Sequence, residues 1–303
     1  MKKISIGGAF EASAVALGLW RVGGMEQREV TALVSAAIEN GIDFFDTADI
    51  YGGGKSEELL GRAVRELGVR ESVKIQTKAG IRRGMYDFSA EYLRSAVEAS
   101  LKRLGLDYID VLLLHRNDAL GEPEEVAEVF EELRSRGLVR RFGVSNHTAL
   151  QIELLNRSLS DHIVANQMQF SVVNAGMVDQ GIYVNTTLPQ ACVRDGGILD
   201  YCRLNKVTVQ AWSPLQYGFF EGCFLGNEKF PELNAVLDRL SAETGFTPAA
   251  LAFAWILRHP ANIQAISGTT SVSHIKDICA ASDYIMSRAD WYELYSAAGH
   301  KLP

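Results

Sequence analysis

Short apolar runs alternate with amphipathic stretches along nearly the whole chain. Runs of this length, bounded by glycine and polar residues, predict strands. They fall at Val15–Trp20, Ile42–Phe45, Val73–Thr77, Tyr108–Leu114, Val139–Val144, Ile163–Met168, Val207–Trp212 and Ile263–Ser267. The lead-in Lys3–Ile6 predicts a further short strand capping one end. Helical periodicity fills the intervals. Ser89–Leu104 puts Leu93, Val97, Leu101 and Leu104 on one face, and Gly105 stops it. Glu122–Arg136 carries Pro123 in its first turn and Gly137 just beyond its end, with Val126, Val129, Phe130 and Leu133 as its apolar face.

Strand and helix recur about every 30 residues, as in parallel βα units. Eight units predict an α/β fold, a closed (β/α)8 TIM barrel, with an open doubly wound sheet as the second choice. The whole span 1–303 is expected to form one domain. Two segments are longer than the rest, Ser171–Gly196 after the sixth strand and Ser213–Thr244 after the seventh. Insertions there are expected to be long loops that shape a substrate mouth.

Composition narrows the possibilities. With 47% hydrophobic and 22% charged residues, the chain can bury a large core. A formal charge of −7 argues against general affinity for nucleic acid or anionic membrane. No run approaches the roughly 18 apolar residues of a membrane helix, so a cytoplasmic location is the default. Cys192, Cys202, Cys223 and Cys279 are widely spaced without a CxxC pair, which predicts reduced thiols. The six histidines include no HExxH pair, and no metal is expected.

Barrel chemistry gathers at the carboxyl ends of the strands. In GIDFFDTADIYGGGKSEELL (Gly41–Leu60), a strand gives way to Asp46, Asp49 and Tyr51 before a helix opening near Lys55. The third strand, VKIQTK, closes on Lys78, and the fourth, YIDVLLLH, on His115. Singly, each has an ordinary explanation: a turn cap, a solvated amine, a hydrogen-bonded core imidazole. Polar groups ending three successive strands, with a phenol beside them, point to a site. A tyrosine has a pKa near ~10, and an adjacent ammonium lowers it. A carboxylate keeps that ammonium charged, and a histidine can orient a carbonyl oxygen. Together they make a proton donor for a carbonyl receiving hydride, which no side chain supplies, so a nicotinamide cofactor is required. GGGKS is not a triphosphate loop, because Asp49 stands where that loop needs glycine.

The chain resembles the aldo/keto reductases over almost its whole length. GIDFFDTADIYGGGKSEELLGRAV is similar to the first signature of that family, and LRSAVEASLKRLGLDYIDVLLLH to the second. GVSNH, ANQMQF and AWSPL follow in the expected order. The resemblance implies a catalytic tetrad of Asp46, Tyr51, Lys78 and His115, with Tyr51 as general acid in reduction and base in oxidation. It also implies that Ser145, Asn146 and Gln167 bind the nicotinamide carboxamide and that Trp212 stacks on the ring. Ser213, Leu215 and the Gln216–Gly218 loop would follow the pyrophosphate. In the last segment, Ser267–Asp277, relatives that bind NADP often place a lysine and an arginine; Gly268 and His274 stand there instead. Thr269, Thr270 and Ser271 can still bond a phosphate at a helix start, and Asp277 closes the segment. The expectation is NADP(H), with NAD(H) open, because neutral histidine lacks arginine's charged fork.

Trp20, Tyr86, Arg116, Asn117, Phe219 and Phe220 are candidates to wall a substrate pocket for a small carbonyl or alcohol, with Arg116 able to meet a carboxylate. Two other functions fit parts of the pattern. A cofactor-binding regulatory subunit would keep the barrel with little turnover, and a Schiff-base lyase would use Lys78 as nucleophile.

Overall fold

Each predicted run forms a parallel strand of one closed barrel in the computed structural model, which describes residues 1–194, 196–219, 221–300 and 302. The strands are β1 (Val15–Gly18), β2 (Phe44–Asp46), β3 (Lys74–Ala79), β4 (Ile109–Leu114), β5 (Val139–Ser145), β6 (Ala165–Gln169), β7 (Thr208–Trp212) and β8 (Gln264–Ser267). They pair in chain order, and β8 closes back on β1. Register decides where the chemistry goes. Gly18 pairs with Asp46, Asp46 with Gln76, and Lys78 with Leu113. The carboxyl ends of β2, β3 and β4 therefore share one rim.

The helices form for the reasons the pattern supplied. In Ala90–Leu104, Ser89 caps the start by accepting from the Tyr92 amide, and Gly105 ends it with φ 61°. Pro123–Ser135 starts on proline and buries Val126, Val129, Phe130 and Leu133.

The lead-in is half of a device. Lys3–Ile6 pairs antiparallel with Phe10–Ser13, a strand the pattern did not reveal. This hairpin packs Ile4, Ile6 and Ala12 with Phe44, Val111, Leu113 and Val164. It closes the barrel floor. Its turn needs glycine, since Gly7 has φ 58° and a Cβ there would lie 2.5 Å from Val164 Cβ.

The long segments are not loops throughout. Ser171–Gly196 contains the helix Gly176–Ile182, and Ser213–Thr244 contains a hairpin (Gln216–Tyr217 with Gly222–Cys223) and then the helix Pro231–Thr244. A further hairpin, Ile81–Arg82 with Met85–Tyr86, follows β3. Hairpins this short carry too few alternating residues to announce themselves. Among the described residues no single helix is long and apolar enough to cross a membrane. The bent pair Pro231–Thr244 and Pro248–Leu257 passes by composition, but it turns 96° at its break.

The floor hairpin is expected to hold stability and not the mouth. Ile6→Ala, at a position with no exposure, should cost about 2–5 kcal/mol in urea unfolding. Dinucleotide affinity, measured on the same variant, should stay unchanged.

Candidate active site

Lys78 has no exposed surface, and Asp46 beside it is 3% exposed. Lys78 Nζ lies 2.8 Å from the Asp46 carboxylate, 2.7 Å from the Thr47 carbonyl and 3.2 Å from the Tyr51 hydroxyl. Three acceptors meet three ammonium hydrogens. Burial works against the charge, but the Asp46 carboxylate and the Tyr51 hydroxyl outweigh it. The ammonium is held above its ordinary range.

Asp46 is itself fixed by amides. Gln76 Nε2 donates to its Oδ1 at 2.6 Å and Gln167 Nε2 at 3.0 Å. Gln76 also donates to Gln210 (2.9 Å), Gln210 to Gln264 (2.9 Å), and Gln264 to the Ser13 carbonyl (2.7 Å). A line of buried glutamines thus runs from the carboxylate across β3, β7 and β8 to the barrel floor. The sequence held a signal for them: a glutamine inside an apolar strand must find a partner. For Gln76, Gln210 and Gln264 those partners are supplied by one another, by Asp46 and by Ser13. Behind β3, fully buried Glu57 accepts from Thr77 Oγ1 (2.5 Å) and Arg103 Nε (2.6 Å).

Tyr51 is delivered by a tight turn. Gly52, Gly53 and Gly54 follow it with φ of 58°, 65° and 92°, a left-handed run that glycine alone adopts cheaply. The phenol meets the His115 ring edge-on, centroids 5.8 Å apart at 78°. The sequence had suggested a lowered phenol pKa, and the balance goes the other way. Burial raises it above 10 and outweighs the Lys78 charge. Burial, then the charges of Lys78 and Arg116, pushes His115 well below 6.5, so its imidazole is neutral at physiological pH. His115 Nδ1 is buried without a hydrogen-bond partner among the described residues. Asp49, the third polar group of that stretch, accepts from Tyr92 Oη at 3.3 Å and does not line the mouth.

Above these groups opens a cavity of about 1290 Å³, larger than the ~300–1,000 Å³ of ordinary ligand pockets. Asp46, Tyr51 and His115 line it, with Lys78 buried beneath. Along one side run Ser145, Asn146, Gln167 and Trp212, joined by hydrogen bonds. Trp212 Nε1 donates to Asn146 Oδ1 (3.2 Å), Asn146 to Ser145 Oγ (2.7 Å), and Ser145 to the Gln167 carbonyl (2.9 Å). Asn146 and Ser213 hold φ of 57° and 52°, unusual for side chains that are not glycine and often found at functional turns. Ser213, Leu215, Gln216, Gly268, Thr269, His274 and Asp277 also line it, and Gln216 Oε1 is buried without a partner among the described residues. Trp20, Tyr86, Arg116 and Phe219 wall it as well. Phe219 stands edge-on to Trp212 (6.3 Å), and the Arg116 guanidinium is 5.8 Å from the Phe219 ring. Asn117, Gly218 and exposed Thr270 fall outside the lining. Phe220 lies outside the described residues. Arg21, Ile50, Ile81 and Asp238 line the cavity without having been singled out.

A family model described as the Aldo/keto reductase family matches residues 14–298. The chain belongs to the aldo/keto reductase family. Two curated relatives are named 6-dehydroglucose reductase. The one from Agrobacterium fabrum is 33% identical, with 98% of each chain covered. The one from Novosphingobium aromaticivorans is 35% identical, covering 96% of this chain and 93% of its own. A crystal structure of an aldo-keto reductase from Klebsiella pneumoniae in complex with NADPH matches at TM-score 0.80 and 28% identity. It covers 100% of this chain and 96% of its own. This aldo/keto reductase is thus an oxidoreductase built on the family's barrel.

Asp49, set back from the mouth, gives a pH-dependent test. Burial, with the Glu57 charge second, pushes Asp49 up to about 6 from 3.8. A raised carboxyl pKa means that the folded state disfavours the charge. The penalty therefore sets in as pH rises past 3.8 and is complete above about 6. Asp49→Asn should stabilise the protein at pH 8 by about 1–2 kcal/mol, allowing for its partial exposure. The gain should vanish at pH 4. Urea unfolding at the two pH values checks both halves.

Proposed function

We propose that this aldo/keto reductase reduces the carbonyl of a small aldehyde or ketone to an alcohol, and runs the reverse oxidation, with Tyr51 donating or taking the proton. The observation that carries this reading is the Lys78 ammonium, 2.8 Å from Asp46 and 3.2 Å from the Tyr51 hydroxyl at the floor of the cavity. A fixed positive charge beside the phenol stabilises the phenolate left when Tyr51 gives up its proton. Neutral His115 on the other side of the phenol can donate a hydrogen bond to the carbonyl oxygen and orient it.

A nicotinamide dinucleotide, when bound in this cavity, would supply the hydride. The residues present fit such a group: the cavity exceeds a simple substrate pocket, and polar atoms of His115 and Gln216, buried without a partner among the described residues, border it. Ser145, Asn146 and Gln167 would hold the carboxamide, and Trp212 would flank the ring. Gln167 spends its NH2 group on Asp46 and Gln210, so it offers its Oε1 as acceptor. Ser213, Leu215 and Gln216 would follow the pyrophosphate. Thr269, Ser271 and the start of the helix Val272–Ala280 favour an anion, which supports NADP(H) over NAD(H). The NADPH complex of the Klebsiella pneumoniae relative supports it too.

The two 6-dehydroglucose reductases favour an oxidised sugar as substrate. Trp20, Tyr86, Arg116 and Phe219 would contact it. The residues 1–303 would act as one domain. The Schiff-base alternative fares worse, because imine formation needs a neutral, accessible amine, and Lys78 is a buried, ion-paired ammonium.

Tyr51→Phe keeps the ring and removes the proton. Aldehyde reduction should fall by roughly 10²–10⁴-fold, while NADPH affinity by calorimetry stays within about twofold of native. Unchanged turnover would refute the assigned acid.

A further inference from the structure

Two groups that can only accept hydrogen bonds bound the glutamine line, the Asp46 carboxylate at the mouth and the Ser13 carbonyl at the floor. They fix which way each amide points. Gln264 must give its NH2 group to Ser13, which turns its Oε1 toward Gln210. Gln210 then donates to Gln264 and presents its own Oε1 to Gln76 and Gln167. Gln76 is left between two acceptors, Asp46 Oδ1 at 2.6 Å and Gln210 Oε1 at 2.9 Å, and its NH2 group serves both. A line with acceptors at both ends needs one amide that donates twice, and within the line no donor remains for that amide's oxygen. Gln76 Oε1 is buried without a partner among the described residues.

An orphaned oxygen of this kind destabilises the fold. An aliphatic side chain at position 76 would avoid it and suit the strand, since β3 is buried from Ile75 to Ala79. Gln76 does not line the cavity, so contact with a substrate does not account for it. What it touches is the carboxylate paired with Lys78.

We propose that Gln76 is a positioning residue for the reaction: its amide holds the Asp46 carboxylate and offsets part of its charge, which leaves the Lys78 ammonium free to stabilise the Tyr51 phenolate. The inference rests on the Tyr51 reading above. Lys78, Asp46, neutral His115 and Arg116 face the phenol. Lys78 and Arg116 favour its anion, and Asp46 opposes it. An amide donor on the Asp46 oxygen weakens that opposition. Without the donor, the carboxylate pulls harder on the ammonium and the phenolate is less stable.

The test labels the tyrosines with difluorotyrosine, whose more acidic phenol titrates at accessible pH, and follows them by fluorine NMR. The Tyr51 resonance is the one missing from Tyr51→Phe. In Gln76→Leu its titration midpoint should rise by about 0.5–1 pH unit, part of the worth of one hydrogen bond to a charged group. Gln76→Glu, which sets a second carboxylate beside Asp46, should raise it further. NADPH affinity by calorimetry should stay within about twofold of native in both, so that any loss of aldehyde reduction falls on kcat. Leucine takes one amide from Asp46 and also removes the orphaned oxygen, two effects of opposite sign, so the urea midpoint of Gln76→Leu should stay near native. If that variant does not fold, Gln76→Glu, close to native volume, decides alone. An unmoved Tyr51 midpoint in a folded variant marks a packing role and overturns the inference, leaving the Tyr51 reading in place. Native turnover in Tyr51→Phe overturns both.

Discussion

A lysine ammonium with no exposed surface is the constraint around which this barrel is built. Moving such an ion out of water costs several kcal/mol after relaxation, and one carboxylate repays that only if the remaining hydrogens and lone pairs are also satisfied. Here they are: the ammonium reaches Asp46, the Thr47 carbonyl and the Tyr51 hydroxyl, and Asp46 takes amides from Gln76 and Gln167. Removing any one partner would strand a buried polar atom. That requirement explains why glutamines thread a barrel interior that apolar side chains could otherwise fill.

The same constraint divides the molecule into a floor and a mouth. At the floor, the hairpin Lys3–Ile6 and Phe10–Ser13 seals the interior with apolar side chains, and Ser13 ends the glutamine line. At the mouth, Gly52–Gly54 take left-handed turns that only glycine adopts cheaply, before the helix Lys55–Leu67, and Asn146 and Ser213 hold costly left-handed conformations after β5 and β7. Rigid strands below make such turns affordable above, and the turns put Tyr51, Asn146 and the Trp212 neighbourhood around one cavity.

Much of this was legible in the sequence. The eight strands showed as apolar runs because parallel strands are covered on both faces. Asp46, Tyr51, Lys78 and His115 stood out because polar residues that end apolar runs are conspicuous. The floor strand Phe10–Ser13 and the two short hairpins were not legible, since two to four residues give no period. Nor were the roles of Gln76, Gln210 and Gln264, whose partners lie on strands as many as 251 residues away. The direction of the Tyr51 shift was misjudged for a related reason. Pairwise charge can be guessed from motif order, whereas burial depends on how all the walls close.

The central claim is that the buried ammonium arms a phenol to protonate a carbonyl that is receiving hydride. The direct measurement supplies the native protein with an aldehyde and NADPH deuterated at both C4 positions, and follows the product by NMR. The account predicts an alcohol with one deuterium on its carbinol carbon, and no substrate trapped on Lys78 by borohydride. Aldehyde consumed without deuterium transfer, with Lys78 covalently modified after borohydride, would contradict it.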